Sequence, residues 1–170
     1  MKESEDSSPP AFWTQLAALV LFVGITALAA TAGAMASVNA SSFYGLLAKP
    51  AWAPPAGLFG PVWTVLYILM AIAAWLVWRV RGMVAGKGPL VLYLVQLALN
   101  ALWTWLFFRW RLGAWALAEI VILWLILIAT LTRFWRVHPL AGVLLLPYLA
   151  WVTFATALTA AVWRLNPGLL

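Results

Sequence analysis

Cysteine is absent from the 170 residues. That excludes disulfides, thiolate metal sites and cysteine nucleophiles. Histidine occurs once, at position 138, so imidazoles and thiolates of this chain cannot assemble a conventional metal site. Charge is scarce as well. Only 8% of residues are charged and 66% are hydrophobic, whereas soluble proteins carry about 25% charged residues. Acids are the rarest, four Asp and Glu against ten Lys and Arg. Glu3, Glu5 and Asp6 lie before Pro10, which leaves Glu119 as the single carboxylate of the remaining chain. No catalytic triad can be drawn from such a set. A net charge of +6 would suggest nucleic acid in a soluble protein. Here the cations flank apolar runs, where basic residues set orientation and meet lipid headgroups, so membrane lipid is the expected partner and nucleic acid is not.

What the chain does have is long apolar sequence. Five runs, at about 12–36, 59–78, 90–108, 112–135 and 140–163, are each long enough to cross roughly 30 Å of hydrocarbon as a helix. Strands of a membrane barrel would alternate over about ten residues, and these runs are continuous. The fold class is therefore all-α, an integral membrane bundle of five transmembrane helices. Residues 11–166 form one membrane domain, and residues 1–10 an acidic tail expected to be disordered. Ala34-Met35-Ala36 resembles a signal-peptidase site, but the segment before it lacks net positive charge and the run is long for a signal peptide. An uncleaved first helix is expected. Six Lys and Arg fall on the N-terminal side (Lys2, Arg79, Arg81, Lys87, Arg133, Arg136) and four on the other (Lys49, Arg109, Arg111, Arg164). That excess favours a cytoplasmic N-terminus in a multi-pass protein.

The stretch from Lys49 to Tyr67 organises the rest. Pro50, Pro54 and Pro55 fix φ and remove backbone donors, so the chain before Pro61 cannot run as a regular helix. Pro61 suits the first turn of the second span, and Trp63 and Tyr67 then share one face of it. An irregular loop between spans has to be covered by protein or lie in the interface. The loop at 37–58 is read as a lid.

Several residues in the spans are candidates for chemistry. Gln96, Asn100, Trp103 and Phe107 share a face of the third span, which must point into the bundle because amides in hydrocarbon need partners. That face either ties helices together or lines a ligand cavity. In the fifth span Tyr148, Trp151, Ala155 and Leu158 place a small residue one turn after a bulky ring, a pattern compatible with core or with a recess. Glu119 is read as an interfacial salt-bridge partner of the Arg109–Arg111 turn. There are thirteen tryptophans. Trp13, Trp75, Trp78, Trp110, Trp135 and Trp163 lie near span ends as belt residues. Trp52, Trp63, Trp103, Trp115 and Trp151 are placed to line an interior, where indole faces suit a flat aromatic ligand.

The chain also resembles a known family. The motifs are Lys49-Pro50-x-Trp52-x-Pro54-Pro55, Pro61-x-Trp63-x-x-Leu66-Tyr67, Gln96-Leu97-x-Leu99-Asn100-x-x-Trp103, Trp115-Ala116-Leu117-Ala118, Pro147-Tyr148-Leu149-Ala150-Trp151, Ala155-Thr156-x-Leu158 and Trp163-Arg164-x-Asn166. They are similar to those of the translocator protein, or tryptophan-rich sensory protein, family, also called the peripheral-type benzodiazepine receptor family. The resemblance implies a five-helix bundle, as a homodimer, with a cavity capped by the loop after the first span. It implies binding of protoporphyrin, haem-related tetrapyrroles and isoquinoline-carboxamide or benzodiazepine-type drugs. Porphyrin or haem would then be a ligand, with no cofactor expected. Carried over by motif, the ligand-binding set is Tyr44, Trp52, Trp63, Asn100, Trp103, Trp115, Ala118, Trp151, Ala155 and Leu158. The chain departs from the family at Ala56-Gly57, where Arg-Trp is usual, at Thr159 and Glu119, and at Val91 and Val95. It also lacks the tyrosine of the cholesterol-recognition pattern before Arg164. Two alternatives accompany the receptor reading: light- or oxidant-dependent porphyrin breakdown with Trp63 and Trp151 as electron donors, or a scaffold without chemistry of its own.

Overall fold

The computed structural model describes residues 11–170. The acidic tail expected at 1–10 lies outside them. Five long helices carry the fold: α1 (Phe12–Ala36), α3 (Phe59–Ala85), α4 (Lys87–Thr104), α5 (Gly113–Val137) and α6 (Pro139–Leu165). A short α2 (Ala40–Leu46) follows α1. Each long helix is apolar and long enough to cross a membrane. They pack neighbour to neighbour in the ring α1–α3–α6–α5–α4, which closes through α4 on α1.

Helix boundaries follow local chemistry. Pro61 occupies the first turn of α3, where a missing N–H leaves nothing unsatisfied. The second span was expected to end at Trp78, before the arginines. Instead α3 continues past Arg79, whose guanidinium lies 5.4 Å from the Trp75 ring, and breaks at Gly82, where φ is +64°. That left-handed conformation is open to glycine and disfavoured for other residues. The loop at 37–58 is also more ordered than its prolines suggest. It contains α2 and a 3₁₀ turn at Ala56–Leu58, and Phe43 and Tyr44 of α2 are buried. At the end of α4 the chain widens into a π turn, Trp105–Arg109, closed by the Trp110 N–H on the Trp105 carbonyl at 2.8 Å.

The two ends of the bundle are built differently. Away from the lid, Met70, Ala73, Ala74 and Val77 of α3 mesh with Tyr93, Leu127 and Leu145 in a continuous core. Tyr93 also ties α4 to α1 through Thr26, with oxygens 2.5 Å apart. α5 and α6 meet closely at two glycines. Gly113 lies against Trp163, and a Cβ at Gly142 would fall 2.5 Å from the Trp135 ring. Gly142→Val is therefore expected to destabilise the bundle by about 1–3 kcal/mol through overpacking. Thermal unfolding in detergent checks this, and an unchanged midpoint would refute the close packing. At the lid end the helices splay around an open volume.

Candidate ligand-binding site

A cavity of about 460 Å³ lies beneath the lid between all five long helices. Phe59, Trp63 and Tyr67 enter it from α3, and Trp151, Ala155 and Leu158 from α6. α5 adds Ile120 and Leu123, and Tyr44 closes it from α2. Asn100 and Trp103 of α4, with Phe107 and Phe108 of the π turn, form a further wall. The rings brace one another. Trp103 stacks on Phe107 with centroids 5.2 Å apart and planes at 15°, and Phe108 meets Phe107 edge-on at 5.0 Å. The sequence neighbours Phe107 and Phe108 both lie within the π turn and both reach this wall.

One side of the cavity is polar. The Tyr67 hydroxyl donates to Asn100 Oδ1 at 2.7 Å, and Asn100 Nδ2 donates to the Tyr148 hydroxyl at 3.2 Å. This relay joins α3, α4 and α6, so the Asn100 amide serves both readings of its helix face: it ties helices and lines the cavity. Gln96, a turn and more deeper, is fully buried and sends its amide to Met70 Sδ at 3.5 Å.

The lid is fastened by side chains. Asn166, just past α6, receives the Ala48 N–H on Oδ1 and donates Nδ2 to the Ala48 carbonyl, each at 2.9 Å. Lys49 Nζ donates to the carbonyls of Tyr44 and Leu47 at 2.6 and 2.7 Å, and the Tyr44 hydroxyl donates to the Pro54 carbonyl at 3.0 Å. Burial pushes the Tyr44 phenol above its usual pKa, so it stays a donor across neutral pH. In the sequence Asn166 stands out only as a motif position. An amide straight after a span, where backbone of a neighbouring loop needs partners, is the signal that was available.

Of the ten expected site residues, Tyr44, Trp63, Asn100, Trp103, Trp151, Ala155 and Leu158 line the cavity. Three do not. Trp52 is half exposed, its ring 5.7 Å from Phe154 and edge-on. Trp115 is 68% exposed and Ala118 also faces outward, because the inward face of α5 is set by Ala116, Ile120 and Leu123. The interior placement of Trp115 and Trp52 is thus corrected. Wall residues outside the expected set include Phe108 and Ser37, and Phe59, Ala30 and Ala34, which sequence reasoning missed.

The expected salt bridge of Glu119 is corrected too. Glu119 is buried, and neither carboxyl oxygen has a hydrogen-bond partner among the described residues. Arg111 instead lies over the Phe43 ring, 4.7 Å from its centroid. A buried polar group without partners destabilises its site. Glu119→Leu is expected to raise the unfolding temperature or leave it unchanged, and a drop of several degrees would show that the carboxyl has a stabilising role.

The model of the TspO/MBR family covers residues 13–164. The chain belongs to the TspO/MBR family. Among its relatives, Protein CrtK of Rhodobacter capsulatus is 43% identical over 155 residues, which cover 88% of this chain and 95% of that protein. The human Translocator protein is 44% identical over 128 residues, 74% of this chain and 76% of that one. The Tryptophan-rich sensory protein of Cereibacter sphaeroides is 40% identical over 150 residues, 88% of this chain and 92% of that one. With its five membrane-crossing helices, this TspO/MBR member is a multi-pass integral membrane protein.

Proposed function

We propose that this TspO/MBR protein binds porphyrins and similar flat apolar ligands beneath its lid, as a membrane receptor or transporter. The observation that carries the reading is the wall itself: Trp63, Trp103, Trp151 and Tyr44 around one cavity of about 460 Å³, with a few polar groups that include the Asn100 amide. Cavities of about 300–1,000 Å³ that are mostly apolar with a few placed polar groups are the usual form of small-molecule sites. Isoquinoline-carboxamide and benzodiazepine-type compounds suit the same combination of rings and amide. The charge asymmetry supports a cytoplasmic N-terminus, with the lid on the opposite side. The bonds between Asn166 and Ala48 put the end of the last span at the lid end, as an odd number of spans requires.

A protoporphyrin titration followed by tryptophan quenching tests the reading. Trp151→Phe is expected to weaken binding about threefold to tenfold, since aromatic pairs contribute about 0.5–1.5 kcal/mol beyond buried area. Unchanged affinity in the folded variant would remove Trp151 from the site. No quenching in the unsubstituted protein would leave the scaffold reading. Porphyrin bleaching under light, with a distinct product lost in Trp63→Phe, would reassign the protein as an enzyme.

A further inference from the structure

We infer that the cavity opens sideways into the bilayer, between α1–α2 and α3. Through this mouth it takes an amphiphilic ligand from the lipid, apolar body inward and a hydrogen-bonding group left at the rim. This rests on the ligand-site reading above.

The exposure pattern of the cavity wall places the mouth. Every wall residue on α4, α5 and α6 is buried or half-buried. The wall residues that are exposed are Ala34 of α1, Ser41 of α2, and Gly60 and Thr64 of α3. All four fall on one side, and all carry small side chains. A Cβ placed on Gly60 would meet no atom within 4 Å. The space beside Gly60 is therefore open.

The route through the lid is closed by contrast. Two hydrogen bonds between Asn166 and Ala48 tie it to the end of α6, three more from Lys49 and Tyr44 brace it internally, and three prolines stiffen its backbone. Passage there requires breaking the Asn166–Ala48 pair or unfolding the internally braced loop. Passage at the side requires displacing lipid.

The rim chemistry selects the ligand. The Ser37 and Thr64 hydroxyls donate to their own helices, to the carbonyls of Gly33 and Gly60 at 3.0 Å. Their oxygens therefore remain acceptors. A ligand hydroxyl or protonated carboxyl donates to these oxygens while the rest of the molecule lies among rings. A wholly apolar ligand gains nothing at the rim, and a highly charged one does not dissolve in the bilayer that feeds it.

Stopped-flow tryptophan quenching with protoporphyrin, on the protein reconstituted in phosphatidylcholine vesicles, tests the mouth against the lid. Gly60→Trp is expected to slow association and dissociation together, each at least about tenfold. Asn166→Ala is expected to leave both rates unaltered while hydrogen exchange of residues 40–58 increases. Faster association in Asn166→Ala with unaltered rates in Gly60→Trp would overturn the inference in favour of the lid. Because the chain has no cysteine, Ala34→Cys and Thr64→Cys each introduce one thiol, which covers the case of a tryptophan that blocks the cavity itself. A lipid-soluble maleimide is expected to label both, and porphyrin to protect them, with little labelling by a membrane-impermeant reagent. Preferential labelling by the impermeant reagent would show a mouth facing water and refute the lipid route. Failure of the ligand-site reading looks different: porphyrin would quench nothing in the unsubstituted protein.

Discussion

Ala155→Phe is expected to reduce porphyrin affinity at least about a hundredfold while leaving the bundle folded. Ala155 lies on the cavity wall, one turn beyond Trp151 and one turn before Thr159, which lines the cavity as well. A benzyl group there projects into empty volume. In a packed core such an enlargement would cost about 1–3 kcal/mol through forced rotamers and backbone shifts. In the cavity it displaces no side chain, and the buried ring gains apolar contact, so the unfolding midpoint should move little. The ligand meets the opposite situation, because the ring occupies the recess beside the Trp151 indole. Affinity and thermal unfolding must be measured on the same preparation. Unfolding without a binding-competent fraction would show that Ala155 is packed core, and unaltered affinity would show that the ligand lies elsewhere.

Asn100→Leu has the largest expected effect on the fold. Its amide accepts from Tyr67 and donates to Tyr148, and Tyr148 is fully buried. Leucine is close in size but serves neither phenol. Each polar group left buried and unpaired costs about 1–3 kcal/mol, so the variant should lose roughly 2–6 kcal/mol. Replacing all three members removes the polar groups together and should recover most of the loss. The set Asn100→Leu, Tyr67→Phe and Tyr148→Phe, compared with the single variants, measures that recovery as a coupling energy. Strictly additive losses would mean the three side chains do not act as one network.

Much of the architecture was legible because a membrane span needs only length and apolarity. The α1 run coincides with Phe12–Ala36, and the glycines of the α3–α4 turn mark where α3 breaks. Helix phase was less legible. In a soluble protein an amphipathic pattern shows which face is inside, but lipid and core are both apolar here, so Trp115 and Ala116 look equally eligible for burial. Asn100 escaped this ambiguity, because an amide has to face protein. α2 was hidden for another reason. Ala40–Leu46 contains two serines and a glycine, poor helix formers, and it is held by burial of Phe43 and Tyr44 rather than by propensity. The lid fastening was hidden because Asn166 acts on the backbone of Ala48, 118 residues away, and backbone recognition leaves no complementary side chain in the sequence.

The π turn at Trp105–Arg109 makes chain length itself part of the binding surface. Removing one residue from this turn is expected to restore an ordinary helical register and to rotate the remaining rings relative to Trp103, with no substitution made. Substitution scanning would never expose such a dependence. Single-residue deletions and insertions between Thr104 and Trp110 would, and they define a kind of variation by which relatives with the same aromatic residues can present differently shaped pockets.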